Sequence, residues 1–237
     1  MSLLRDESLS KKLLRQWFWV YFLSFLVAPA GYVFRVVLSR EFNVETVWVF
    51  FSVLWLITFL ATYNDFWLTN SLKYYLPKFW INKKYDAVKT SFLLTLGFQI
   101  LSSIIIIVVL FSGGIDRLSA NHFNHPLAKV FMQIMLWYFL FINVFQVLVA
   151  LMWSFQDVIG EKFSYFIRMW GISVVAILLF ILWFDDPNLY ARSWVLGLIL
   201  GVLYAVFIFF HKYYSQINLW KFRFSSISFK SYLRYAL

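Results

Sequence analysis

Cysteine is absent from all 237 residues, which removes a disulfide framework, a thiolate metal site and a cysteine nucleophile together. Charge is nearly as scarce: 14% of residues carry it, where soluble domains have about 25%. Glycine and proline number 8 and 4, and no glycine-rich phosphate loop and no His-Glu zinc helix occurs. The acids are Asp6, Glu7, Glu41, Glu45, Asp65, Asp86, Asp116, Asp157, Glu161, Asp185 and Asp186. Each falls at the end of an apolar run or between two runs. That placement argues against a cation antiporter working through a carboxylate at the bilayer centre. Asp185 and Asp186 are the one carboxylate pair on a loop, and directly before Pro187 they read as a turn or helix cap.

What the chain has is apolar length. Hydrophobic residues make up 62% of it and the mean hydropathy is +0.75, the balance of a multi-pass membrane protein. A helix crosses a ~30 Å hydrocarbon core with about 20 apolar residues. Six runs qualify: Trp17 to Phe34, Thr46 to Asn64, Thr90 to Ile115, Val130 to Gln156, Met169 to Phe184 and Ser193 to His211. They are too long and too evenly apolar for barrel strands of about 10 residues, so an all-α integral membrane protein is expected. Its parts are a basic interfacial lead-in over 1–16, a six-helix lobe over 17–212, and a linker over 213–237 that opens a seventh helix, as if the chain continued.

The net charge of +10 suggests nucleic acid until its distribution is examined. With the N-terminus in the cytoplasm, sixteen of the Lys and Arg residues fall inside: Arg5, Lys11, Lys12, Arg15, Lys73, Lys78, Lys83, Lys84, Lys89, Lys162, Arg168, Lys212, Lys221, Arg223, Lys230 and Arg234. Five fall outside: Arg35, Arg40, Arg117, Lys129 and Arg192. This is the positive-inside pattern; both termini are then cytoplasmic, and the charge belongs to topology rather than to nucleic acid. A signal-peptide reading of Ala28, Pro29 and Ala30 gives way to a kinked first span, because the apolar run continues past them.

Arg35 is expected near the outer mouth of the first span, either clamping a phosphate with its guanidinium or snorkelling to the interface. Asp65, at the inner end of the second span, is expected nearly a membrane thickness away. Gln99, Ser102 and Ser103 on the third span and Asn143 and Gln146 on the fourth lie nearer the midplane. They either join helices by hydrogen bonds or line a hydrated cavity. Gly113 and Gly114 read as a helix stop before a long outer loop. There His122 and His125 lack a third ligand for a metal.

The stretch Arg35, Ser39, Arg40, Glu41, Phe42, then Asp65, then Tyr74, Tyr75, Leu76, Pro77, Lys78 resembles the N-terminal part of polysaccharide-biosynthesis flippases, the Wzx type of the multidrug/oligosaccharidyl-lipid/polysaccharide exporter superfamily. Tyr232 to Leu237 is similar to the start of that family's seventh helix. The resemblance implies one lobe of a MATE-like transporter that moves polyprenyl-diphosphate-linked oligosaccharides across the cytoplasmic membrane, makes or breaks no bond, and uses no cofactor beyond a coupling ion. Arg35 and Arg40 would meet the substrate, with Gln99, Asn143 and Gln146 behind them. Asp65, Lys73, Pro77 and Lys78 would form the family motif at the inner end. A second lobe would come from the rest of a longer chain or from a second subunit. The chain departs from the family in having Phe66 and Trp67 after Asp65, where a small residue, often glycine, is usual. A multidrug or cation exporter of the same superfamily and a non-transporting scaffold of polysaccharide synthesis are the alternatives.

Overall fold

A computed structural model describes residues 2–182 and 186–214, with side chains at Lys11 and from Leu14 onward. The described residues are helical apart from short turns, and no strand occurs among them. Of the segment 213–237 only Tyr213 and Tyr214 are described. Asp185, the basic residues Lys221, Arg223, Lys230 and Arg234, and the expected start of a seventh helix at Tyr232 lie outside the described residues.

Among the described residues eight α-helices follow in order: α1 Ser2–Glu41, α2 Val44–Asn64, α3 Leu68–Ile81, α4 Tyr85–Val109, α5 Ile115–Leu118, α6 Pro126–Ser154, α7 Val158–Ile181 and α8 Pro187–Ile208. Six stretches of the described residues are long and apolar enough to cross a membrane: Leu14–Glu41, Val44–Asn64, Tyr85–Phe123, Pro126–Ser154, Val158–Ile181 and Pro187–Tyr213. The expected number of spans therefore stands, while several boundaries move.

Lead-in and first span form one helix. α1 runs unbroken through Pro29, with α7 alongside it. The Trp170 indole donates to the Leu26 carbonyl at 2.9 Å, and the Ser173 hydroxyl to that of Ala30. Proline removes the donor that would reach the Phe25 carbonyl, and the two side-chain bonds from α7 fall on either side of Pro29, at Leu26 and Ala30. Ser39, Arg40 and Glu41 belong to α1, and the turn to α2 is only Phe42 and Asn43. Asn43 caps α2 by accepting the Thr46 N–H at 2.8 Å, the ordinary role of Asn at that position.

The basic stretch after α2 is helical too. Its residues Leu72, Leu76 and Phe79 are buried at helical spacing against α4 and α6, so Pro77 and Lys78 sit within α3 rather than on a loop. Lys78 reaches back one turn to place its ammonium 3.4 Å from the Tyr74 ring centre. The expected stop at Gly113 and Gly114 is present as a kink between two helices. Gly113 leaves the helical conformation at φ 127°, which glycine adopts freely, and a new helical stretch begins directly after it. Most of the expected outer loop is consequently helical as far as Phe123.

α6 is the most buried span and the axis of the bundle, with α8, α2, α4 and α3 packed around it. α7 lies on α8 and carries α1 on its other side. At one end, where α1 stops, His125 faces Glu45 at 3.8 Å and Lys129 pairs with Asp116 at 2.6 Å. At the other, Trp80 meets Phe155 edge-to-face with ring centres 5.0 Å apart. There Asp157 accepts from Lys212 and Tyr213, both at 2.8 Å.

Candidate functional site

The sequence places Arg168 in the inner loop, and the structure does not. α7 begins at Val158, so Arg168 lies ten residues inside a span. It lines a cleft of about 320 Å³ together with Arg35 and Gly31 of α1, Phe51, Leu54, Trp55 and Thr58 of α2, Tyr138 of α6, Met169 of α7 and Trp194 of α8. No acid lines it. At 1.5 Å per residue, Arg35 lies about 9 Å along α1 from Glu41 and Arg168 about 20 Å along α7 from Ile181. Both ends are on the same side of the bundle, so the two cations are staggered in depth.

Packing holds Arg168 in place. On α8, Gly197 and Gly201 are one turn apart, and a Cβ at Gly197 would come within 2.6 Å of the Ile172 nitrogen. Glycine is required at this helix crossing, because it lets the α7 and α8 backbones approach closely. The Arg168 guanidinium then lies 5.4 Å from the ring centre of Phe145 and 5.3 Å from that of Tyr165, at cation–π distance. Its Nη2 reaches only the Met169 sulfur, at 3.8 Å. Its Nε is buried with no acceptor, and so is the indole nitrogen of Trp194. Buried donors almost always have partners; two orphans beside one acid-free cleft leave that cleft matched to an acceptor-rich, anionic group.

Arg35 is exposed, its guanidinium 5.7 Å from the Phe51 ring centre. Arg40 does not join it: it is exposed in the last turn of α1, where a cation suits the helix dipole. Gln146 is half-buried on α6 and is not among the residues lining the cleft.

Gln99 and Asn143 belong to a different cluster, and Asp65 joins them. Although it caps the C-terminus of α2, Asp65 is buried and accepts from Gln99 Nε2 at 2.6 Å, from the Thr69 N–H at 3.2 Å and from the Thr69 hydroxyl at 2.7 Å. The Asn64 amide donates to Gln99 Oε1 at 3.0 Å and to Ser103 Oγ at 3.2 Å, and Asn143 donates to the same Ser103 Oγ at 2.9 Å. Asp65 is at the end of the second span as expected, and the structure adds its hydrogen bonding to Gln99. Gln99 lies about 21 Å along α4 from Tyr85, and Asp65 is level with it. The turn that follows places Phe66 at φ 43° and Trp67 at φ 57°, left-handed positions that glycine fills at lowest cost. Lys83, Asn124 and Gln156 hold left-handed positions in three other turns among the described residues, but only this turn has two in succession.

The chain matches no protein-family model, no curated protein and no solved structure. Function is therefore argued from the site.

At the far end a recess of about 680 Å³ is lined by Trp80, Phe155, Gln156, Asp157, His211, Lys212 and Tyr213. Burial pushes the Asp157 carboxyl up, but hydrogen bonds from Lys212, Tyr213 and the Gly160 N–H outweigh burial and hold it below the usual carboxylate range. Its charge is already matched, so this recess is a latch between the α6–α7 turn and the end of α8.

Proposed function

We propose that the Arg35–Arg168 cleft receives the diphosphate of a polyprenyl-linked oligosaccharide and that the chain is one lobe of a flippase for polysaccharide biosynthesis. The observation that carries this reading is the pair of unpartnered donors, Arg168 Nε and Trp194 Nε1, beside a cleft with two arginines and no acid. Guanidinium groups bind phosphate oxygens in pairs. Aromatic walls such as Phe51, Trp55 and Trp194 suit the apolar and sugar portions on either side of the diphosphate. The cell-membrane location, the MATE-like arrangement, cytoplasmic termini and a second lobe from more chain or another subunit all belong to this proposal. The alternative of a cationic-drug exporter fits a doubly cationic cleft poorly.

Trp55 and Trp194 line the cleft, so ligand binding can be read as a change in tryptophan fluorescence of the purified protein in nanodiscs. Farnesyl diphosphate is expected to change it saturably and farnesol only weakly, with the diphosphate response lost in Arg168→Ala. Binding of a lipophilic cation such as ethidium at equal or higher affinity, with no response to farnesyl diphosphate, would overturn the proposal.

A further inference from the structure

We infer that Asp65, with Asn64, Gln99, Ser103 and Asn143, forms a binding site for a small monovalent cation at the junction of α2, α3, α4 and α6. Asn64, Gln99, Ser103 and Asn143 are at most 2% exposed and Asp65 is 8% exposed. Three hydrogen bonds reach the carboxylate, from Gln99 and twice from Thr69, and all come from neutral groups. Asp65 has no ion pair among the described residues; Lys73 of α3 is felt through space without touching it. A buried carboxylate without a bonded cation is a standing electrostatic deficit.

The cluster has a second, independent deficit. Asn64 Oδ1 and Asn143 Oδ1 are buried and accept no hydrogen bond, although both amides donate into the cluster through their nitrogens to Ser103 Oγ. A water could satisfy the two oxygens but would leave the charge. A proton on Asp65 would cancel the charge but bring a single donor hydrogen for two orphan acceptors. A cation answers both, since carboxylate and amide oxygens are donors that hard cations take, while Ser103 Oγ accepts from both asparagine amides and fixes their orientation. One carboxylate among neutral oxygens balances a single positive charge, whereas a divalent ion would leave net charge buried. This site stands apart from the cleft and does not depend on what the cleft carries. The two are nevertheless joined, because Phe51, Trp55 and Thr58 of the cleft and Asn64 of the cluster are on the same helix, with Asp65 as its C-cap.

The test is thermal unfolding of the purified protein in nanodiscs, with lithium, sodium or potassium chloride titrated against N-methylglucamine chloride at constant ionic strength. A midpoint that rises saturably with at least one alkali cation and not with N-methylglucamine is expected. Asp65→Asn should abolish the rise, and Ser103→Ala should raise the half-saturating concentration roughly tenfold or more. Equal curves in all four salts for the unaltered protein would overturn the inference, as would a cation response that survives Asp65→Asn. Because the first of these outcomes needs no variant, poor folding of a variant does not protect the inference. Farnesyl diphosphate binding is read separately, so failure here and failure at the cleft are told apart.

Discussion

The Cβ of Arg168 stands 2.9 Å from the point where a side chain would begin at Gly201. α8 leaves this space empty, and the stem of Arg168 runs through it toward the rings of Phe145 and Tyr165. A cation within a span is therefore held by a residue with no side chain on the facing helix.

Gly201→Val should push α8 from α7, costing about 1–3 kcal/mol as overpacking does, and should weaken diphosphate binding by shifting Arg168. Gly97→Ala is the contrast: nothing lies within 4 Å of a Cβ there. It should stabilise the protein by up to about 1 kcal/mol through helix propensity. Unfolding midpoints and farnesyl diphosphate titrations of both variants check this; equal effects would contradict the packing argument.

Arg168→Ala should weaken farnesyl diphosphate binding by roughly 10- to 100-fold, the scale of one or two charge-assisted hydrogen bonds. Arg168→Lys should recover only part, because an ammonium keeps the charge and loses the paired geometry. Arg35→Ala is expected to cost less, since Arg35 is exposed. Fluorescence titrations of the three variants give the order.

The hidden parts of this molecule share a cause. The six spans were legible because composition alone measures apolar length. Depth was not legible, because a residue near a helix end in sequence need not lie near the membrane surface. Asp65 ends α2, yet its carboxylate accepts from Gln99, about 21 Å along α4 from Tyr85. Arg168 was missed because a charge was used to mark a boundary; moving the start of α7 back to Val158 places it inside. The spacing of Gly197 and Gly201 was the available sign that α8 meets a close neighbour. Leu72, Leu76 and Phe79 were the sign of α3, masked by the lysines around them.

Gln99→Leu should destabilise the protein by roughly 2–3 kcal/mol, because it strips a donor from a buried carboxylate and an acceptor from Asn64. Ser102→Ala, one residue from Ser103 but bonded only to its own helix, should change stability by less than about 0.5 kcal/mol. Chemical or thermal unfolding in one detergent separates them.

Asp157 makes stability depend on acid. Its carboxyl is held below the ordinary range in the folded state, so its contribution is complete above the unfolded value of about 3.9 and is lost as pH falls through the lower folded value. The unfolding midpoint of Asp157→Asn should therefore lie below that of the unaltered protein at neutral pH, and the gap should narrow below about pH 4. A gap that stays constant down to pH 3 would show that Asp157 does not act through its charge.

Phe66→Gly should raise stability by about 1 kcal/mol by relieving one left-handed residue, less whatever the edge-on contact with Phe98 provides. A thermal midpoint lower than that of the unaltered protein would show that the ring contact outweighs the backbone.

α1 is bonded to α7 on both sides of Pro29, yet it touches α2 sparingly. Arg35 rides on the first of these helices and Arg168 on the second, while the wall of Phe51, Trp55 and Thr58 belongs to α2. The two arginines therefore sit on helices tied to each other by side-chain hydrogen bonds, while the α2 wall of the cleft has little contact with α1.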